Sequence, residues 1–364
     1  MDATYEPDTA PTPGDQTPDP WSGPTVGALG ELAVLDRVTR RLPAGRPEVG
    51  PGDDCAVVAA PDGRFVVTTD MMVHGPDFRW AWSSPEDVGW KAAVTNLSDV
   101  AAMGAVPTGL VVAIAAPQDT PVAVLEGVAD GFRLAVAALA PDCGVVGGDL
   151  STSSAFTLAV TAFGDLRGLA PVLRSGARPG DVLAVSGELG PAARGLARLF
   201  RDGVDAHGEP DAARVLASGA DTDPDVARQR RPVPPVADGP RAATAGATAM
   251  LDLSDGLAID AGRLARASGV TLELDERIAP APDATAPDAT APDASAQVLL
   301  DGPALHGGED HGLLATFPPG VALPGGFRRI GTVLPRGASD LVRGGAAVPT
   351  TGWDPYADWD GVAG

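Results

Sequence analysis

Lysine is almost missing from this chain of 364 residues: Lys91 is the only one. That alone rules out a Gly-x-x-x-x-Gly-Lys-Ser/Thr phosphate loop, because the tripeptide Trp90-Lys91-Ala92 offers no Gly-Lys-Ser/Thr. Cysteine is as scarce, with Cys55 and Cys143 alone. The four histidines (His74, His207, His306, His311) have no zinc-site spacing, so a thiolate or imidazole metal centre is not expected. The two lone thiols suit a reducing cytoplasm. No apolar run reaches the ~18 residues of a membrane-spanning helix, and no basic-then-apolar leader is visible at the N-terminus. Positive charge is outweighed, 26 Lys and Arg against 48 Asp and Glu, for a net −22. Such a surface repels nucleic acid and anionic lipid alike. The kinase His-Arg-Asp and Asp-Phe-Gly pair and a Gly-x-Gly-x-x-Gly after a strand are also absent.

Acidic residues in small-residue settings are what the chain does have. Gly52-Asp53-Asp54-Cys55 precedes one apolar run, Thr68-Thr69-Asp70 closes another, and Asn96-Leu97-Ser98-Asp99 lies in a strongly helical stretch. Gly147-Gly148-Asp149 follows a short apolar run, and Asp252-Leu253-Ser254-Asp255-Gly256 opens a helix. Taken singly, each is ordinary turn or cap material. Repeated at the ends of apolar segments, such carboxylates can converge, and converging carboxylates repel unless a hard cation sits between them. Glycines, serines and threonines beside them let backbone N–H groups and hydroxyls approach a phosphate. The pattern points to a magnesium–phosphate site.

Read in order, residues 1–26 are rich in Pro, Asp and Thr and are expected to be a disordered tail. A first domain is expected over 27–165 and a second over 166–364. Helices are expected over Gly27–Leu42, from a Ser84 cap to about Met103, and over Pro121–Ala140. In the second of these Asp87 and Lys91 are spaced to pair. Strands are expected near Phe65–Asp70, Gly109–Ala116, Cys143–Val146 and Phe156–Phe163, the third ending in Gly147-Gly148-Asp149, which taken alone also reads as a tight turn. In the second half a strand Asp181–Ser186, helices Pro191–Phe200 and Asp211–Ala217, a helix after Gly256 and a strand Thr271–Leu274 follow. The stretch Val204–Pro240 otherwise reads as loop. Residues 281–295 repeat Ala-Pro-Asp-Ala-Thr/Ser, an inserted flexible loop. Alternation of strands and helices in both halves gives an α/β class.

The ordered motifs Gly50–Ala56, Thr68–Asp70, Asn96–Gly104, Gly147–Asp149, Arg174–Asp181, Asp252–Leu257 and Gly307–Asp310 resemble those of bacterial thiamine-monophosphate kinases. Those enzymes belong to the aminoimidazole ribonucleotide synthetase-like superfamily. The resemblance spans about residues 28–356. It implies a two-domain α/β (α+β) fold, with an N-terminal α/β domain that dimerises and a C-terminal α/β domain. It implies magnesium ligands at Asp54, Thr68, Thr69, Asp70, Asp99, Asp149, Asp252 and Asp255, and ATP contacts at Gly148, Asp149, Arg174 and Ser254. Asp99, Asp149 and Arg174 would carry catalysis. Asp77, Glu309 and Trp353 would meet the thiamine end.

Three departures stand out. Asp77-Phe78 replaces a usual His-Phe, Gly352-Trp353-Asp354-Pro355-Tyr356 replaces Gly-Trp/Tyr-Asp-His-Phe, and His311-Gly312 replaces Tyr-Glu. They are expected to touch the substrate end and leave the metal end intact. The implied reaction joins thiamine monophosphate and ATP with several Mg2+ ions. Its acceptor is a phosphate oxygen already anionic at neutral pH, so no general base is needed. Two alternatives stay open on sequence: another ATP-using synthetase of the superfamily, and a non-catalytic nucleotide-binding homologue.

Overall fold

The computed structural model describes residues 19–48, 58–281, 298–300 and 302–353. Asp54, most of the tail and nearly all of the 281–295 repeat lie outside them. The elements in order are α1 (Val26–Leu29), α2 (Glu31–Thr39), β1 (Val66–Val73), α3 (Pro85–Ala102), β2 (Val106–Ala116) and α4 (Val122–Leu139). Then come β3 (Val145–Thr152), β4 (Thr157–Asp165), β5 (Val182–Ser186), α5 (Pro191–Asp202), α6 (Ala212–Ser218), α7 (Pro224–Arg230) and α8 (Asp238–Thr244). The chain continues through β6 (Ala249–Leu253), α9 (Leu257–Ser268), β7 (Thr271–Leu274), a short pair β8 (Arg277–Ile278) and β9 (Val298–Leu299), and α10 (Gly302–His306). It finishes with β10 (Gly312–Phe317), β11 (Arg328–Leu334), β12 (Leu341–Arg343) and β13 (Ala346–Ala347).

Two sheets result. The first has order β1-β4-β2-β3 and the second β13-β12-β7-β11-β5-β10-β6. Helix α3 lies between them. Its start follows from local chemistry: Ser84 accepts from the Asp87 N–H, the Asp87 carboxylate accepts from the Ser84 N–H at 2.9 Å, and Pro85 takes the first helical position. Buried on nearly every side, α3 crosses α4 at backbone distance. A Cβ on Gly89 would stand 2.0 Å from the Val128 carbonyl oxygen, and one on Gly131 would stand 2.2 Å from that of Glu86.

One apolar core joins the first sheet, α3 and α4 to Met250, Leu313, Ala315 and Phe317 of the second sheet. A second core packs α9 on that sheet's other face, through Leu251, Leu314 and Ile330. The period of two in a strand therefore decides where β6 points its carboxylate. Leu251 and Leu253 go to α9, so Met250 and Asp252 go to α3.

Several details differ from expectation. Gly30, at φ 76°, divides the first helix into α1 and α2. Residues 19–26, expected to be disordered, make contacts: the Trp21 ring meets Trp80 edge-on with centroids 5.2 Å apart, and Val26 donates to the Thr120 carbonyl. Gly147-Gly148-Asp149 is not a turn but the middle of β3, paired in parallel with β2. The loop-like stretch after Val204 contains α7 and α8 besides α6; Asp211 and Asp223 cap α6 and α7 through their carboxylates.

Candidate active site between the two sheets

Strand β1, helix α3, the β6–α9 turn and the loop before β10 meet in one crevice. From β1, Thr68 and Asp70 face α3, while Thr69 faces the opposite side and donates to the Val160 carbonyl at 2.9 Å. Thr68 donates its hydroxyl to the Asp99 carboxylate at 2.7 Å, and Ser98 donates to Asp252 at 3.2 Å. Asp70, Asp99 and Asp252 thus share one neighbourhood.

The electrostatics follow from burial and like charge. Burial first, then Asp252 and Asp70, push Asp99 up to about 7, with the Thr68 hydroxyl opposing. Asp70 is raised too, mainly by burial and further by Asp252 and Asp255, against the pull of His311. The donor set of carboxylates and a hydroxyl is hard oxygen throughout, the chemistry magnesium prefers. Among the described residues, no three His, Cys, Asp or Glu side chains are drawn tightly enough together to hold an ion as they stand.

The β6–α9 turn is braced from within. Asp260, buried and raised to about 6 chiefly by burial, accepts the N–H groups of Asp255 and Gly256. Arg263 donates to both Asp255 (2.5 Å) and Asp260 (2.6 Å). Against this turn sits the loop Gly307–His311. Glu309 donates its N–H to the Ser254 carbonyl at 2.7 Å, and Asp310 accepts from the N–H groups of Gly190 and Ala192 at the start of α5. Glu309 and His311 hold φ of 70° and 53°, left-handed values unusual for residues with a Cβ. The Trp353 N–H donates to the Asp255 carbonyl at 3.2 Å, and its ring is partly exposed.

At the other end of α3 the expected Asp87–Lys91 pair does not form. Asp87 is taken by the helix cap and by Arg231, and Lys91 reaches Glu309 with Nζ 2.8 Å from Oε1. Gln229 approaches the second Glu309 oxygen at 3.5 Å. Asp77 accepts the Val73 N–H at 2.6 Å; burial and then Glu309 raise it, against that hydrogen bond and Lys91.

Two expected members stand apart within one chain. Asp149 is exposed on β3, at the sheet edge opposite β1, with its side chain on the face turned away from α3. On the same strand, a Cβ at Gly148 would lie 2.2 Å from the Val112 carbonyl oxygen, so only glycine fits there. Arg174 is exposed, and its carbonyl accepts from Ser268 at the C-terminal end of α9, about 18 Å along that helix from the Asp255 end.

His311, expected at the substrate end, is buried with Nδ1 3.7 Å from the Asp252 carboxylate, a contact the sequence did not suggest. Burial opposes its charged form, but Asp252 and then Glu309 outweigh this and raise its pKa. Its separation from Asp252 in sequence hides the contact; the left-handed backbone that aims it becomes visible only in three dimensions.

Comparison with known proteins settles the family. Residues 52–166 match the model for the AIR synthase related protein N-terminal domain, and residues 178–302 match the C-terminal domain. The chain is 43% identical over 343 residues to the thiamine-monophosphate kinase of Mycobacterium tuberculosis, covering 93% of this chain and 95% of that protein. It belongs to the thiamine-monophosphate kinase family.

Among solved structures, the thiamine-monophosphate kinase of Stenotrophomonas maltophilia K279a is 30% identical with a TM-score of 0.66, covering 88% of this chain and 98% of that one. A structure of AaThiL complexed with AMPPCP and TMP is 27% identical with a TM-score of 0.62, covering 89% and 96%. No helix among the described residues is long and apolar enough to cross a membrane.

Proposed function

We propose that this protein transfers the γ-phosphoryl group of ATP to the phosphate of thiamine monophosphate, yielding thiamine diphosphate. The near-full-length identity to thiamine-monophosphate kinases carries this reading, and the likeness to a structure holding AMPPCP and TMP supports it. It also favours a kinase over the synthetases of the superfamily. The reaction brings two anions together, so catalysis rests on positioning and charge neutralisation.

Asp70, Asp99, Asp252 and Asp255, with the Thr68 hydroxyl, would hold magnesium, whose contribution is to neutralise the phosphates during in-line transfer. Burial and like charge at Asp99 and Asp70 support this, since such carboxylates gain most from a hard cation. Asp54, Thr69 and Asp149 are assigned to metal, and Gly148, Asp149, Arg174 and Ser254 to ATP, by family resemblance. By the same resemblance Glu309 and Trp353 take the thiamine end, a reading supported by their backbone bonds to Ser254 and Asp255, which join them to the β6–α9 turn. The acceptor is a phosphate oxygen that is already anionic, so no side chain need remove a proton.

We also infer a homodimer in the cytoplasm. Phe65, Val67 and Met71 form an exposed apolar row on the face of the first sheet turned away from α3. A second copy covering that face would bury the row and lie against Asp149. Buried, unpaired Cys143 suits a reducing compartment. The deciding experiment is formation of thiamine diphosphate from thiamine monophosphate, ATP and Mg2+, lost on adding a chelator. ATP binding without turnover would leave a non-catalytic homologue. Sedimentation velocity of the wild type and of Met71→Asp tests the dimer, with the substitution expected to give monomer.

A further inference from the structure

We propose that Lys91 is a substrate-binding residue, held by Glu309 in the free protein and released to the substrate's phosphate when the cationic ring takes its place on Glu309. The inference rests on the thiamine-monophosphate reading above and adds a residue to it.

The only lysine of the chain is buried and engaged far from its own helix. Its side chain is 7% exposed and Glu309 is 33% exposed, with 2.8 Å between Nζ and Oε1. The two partners differ in freedom. Glu309 sits on a braced loop, with its N–H bonded to Ser254, Asp310 bonded to the start of α5, and the His311 N–H bonded to the Leu253 carbonyl. Lys91 carries its ammonium on a flexible four-carbon stem. A cation arriving at the open side of Glu309 would put two positive charges on one carboxylate, and the lysine is the partner able to leave.

Its destination follows from α3. Lys91 and Ser98 are seven residues apart, so they lie on one face, about 10 Å apart along the axis. Both reach the second sheet's side of the crevice, Lys91 at Glu309 and Ser98 at Asp252. The ammonium therefore stands between the ring end, marked by Asp77 and Glu309, and the carboxylates that would gather the phosphates. Its field is felt at both ends, lowering Asp77 on one side and His311 on the other. No other lysine exists to supply a mobile point charge to an anion there.

Calorimetric titration of the full-length protein with thiamine monophosphate and with thiamine, in AMPPCP and Mg2+, tests the exchange. Lys91→Met should weaken binding of the monophosphate roughly 10-fold or more, the scale of a lost charged hydrogen bond, and leave thiamine unchanged or tighter. Lys91→Arg should keep most of the preference for the phosphorylated ligand. Equal loss for both ligands, greater loss for thiamine, or no loss for either would overturn the proposal and leave Lys91 as a tie between the sheets. Thermal unfolding verifies that each variant folds. Should Lys91→Met not fold, Glu309→Gln decides: thiamine should weaken more than the monophosphate, and the reverse order overturns the proposal. The wild type is assayed alongside. Failure to make thiamine diphosphate would remove the functional reading, whereas turnover without a selective loss in Lys91→Met would remove this inference alone.

Discussion

The two ends of the crevice treat negative charge in opposite ways. At the end assigned above to the thiamine ring, Asp77 accepts a backbone N–H and Glu309 is met by Lys91 and Gln229. At the end assigned above to the phosphates, Asp99 accepts from the Thr68 hydroxyl and lies beside two further carboxylates, and Asp252 has Ser98 and a histidine at 3.7 Å. Asp255 is the exception there, held by Arg263. The first end has an ion pair in place in the free protein, while at the second burial and like charge hold the Asp99 carboxyl up at about 7. Burying like charges costs free energy, which the proton that Asp99 holds up to about 7 relieves in the free protein and a bound cation would relieve in its place.

The contrast is broken most sharply by Asp99→Asn. Turnover should fall at least about 100-fold, the scale on which one electrostatic stabiliser of a transition state is lost. Thermal stability in chelator should hold or rise, since a repelling charge is gone. Retention of near-normal turnover would remove the phosphate end's assigned role. His311→Asn comes next. A group that orients a metal-binding carboxylate typically matters 10- to 100-fold, so half-saturation in a Mg2+ titration should rise about 10-fold, with KM for thiamine monophosphate little changed. A change in KM alone would return His311 to the ring end.

At the ring end, Trp353→Ala should raise KM for thiamine monophosphate roughly 5-fold and that for ATP less, as expected for stacking on a cationic ring. Equal effects on both would argue against stacking. The smallest effect is on stability against pH. Asp99 keeps its proton in the folded state up to about 7, whereas the unfolded chain releases it near 3.8. Its contribution is therefore fully present below about 3.8 and lost as pH rises through 7. In chelator, the melting temperature of the wild type should fall across that window more steeply than that of Asp99→Asn, and parallel curves would contradict the burial argument.

Much of this was legible one stretch at a time. The Ser84–Asp87 cap with Pro85 announces α3, and the Asn96–Asp99 stretch places a carboxylate on it. The run Met250–Leu253 before Ser254-Asp255-Gly256 announces β6 and the turn to α9. What could not be read depended on partners distant in the chain. Lys91 is 218 residues from Glu309, and the nearer Asp87 looked the better match until the cap and Arg231 claimed it. Gly147-Gly148-Asp149 looked like a turn because glycine weakens a strand by itself; parallel pairing with β2 holds it extended. Helices α7 and α8 are short and polar, and are stabilised by packing more than by their own periodicity.

The sequence alone determined the fold class, the family and the set of acidic groups, because these follow from local spacing, capping and ordered motifs. Only the tertiary structure decided which carboxylates share a space. Strand alternation turned Asp70 and Asp252 toward α3 and left Asp149 on the outer face, and a left-handed loop brought His311 to Asp252 and Glu309 to Lys91. Charges that interact over a few ångströms are scattered over more than two hundred residues of chain, and no local pattern encodes that distance.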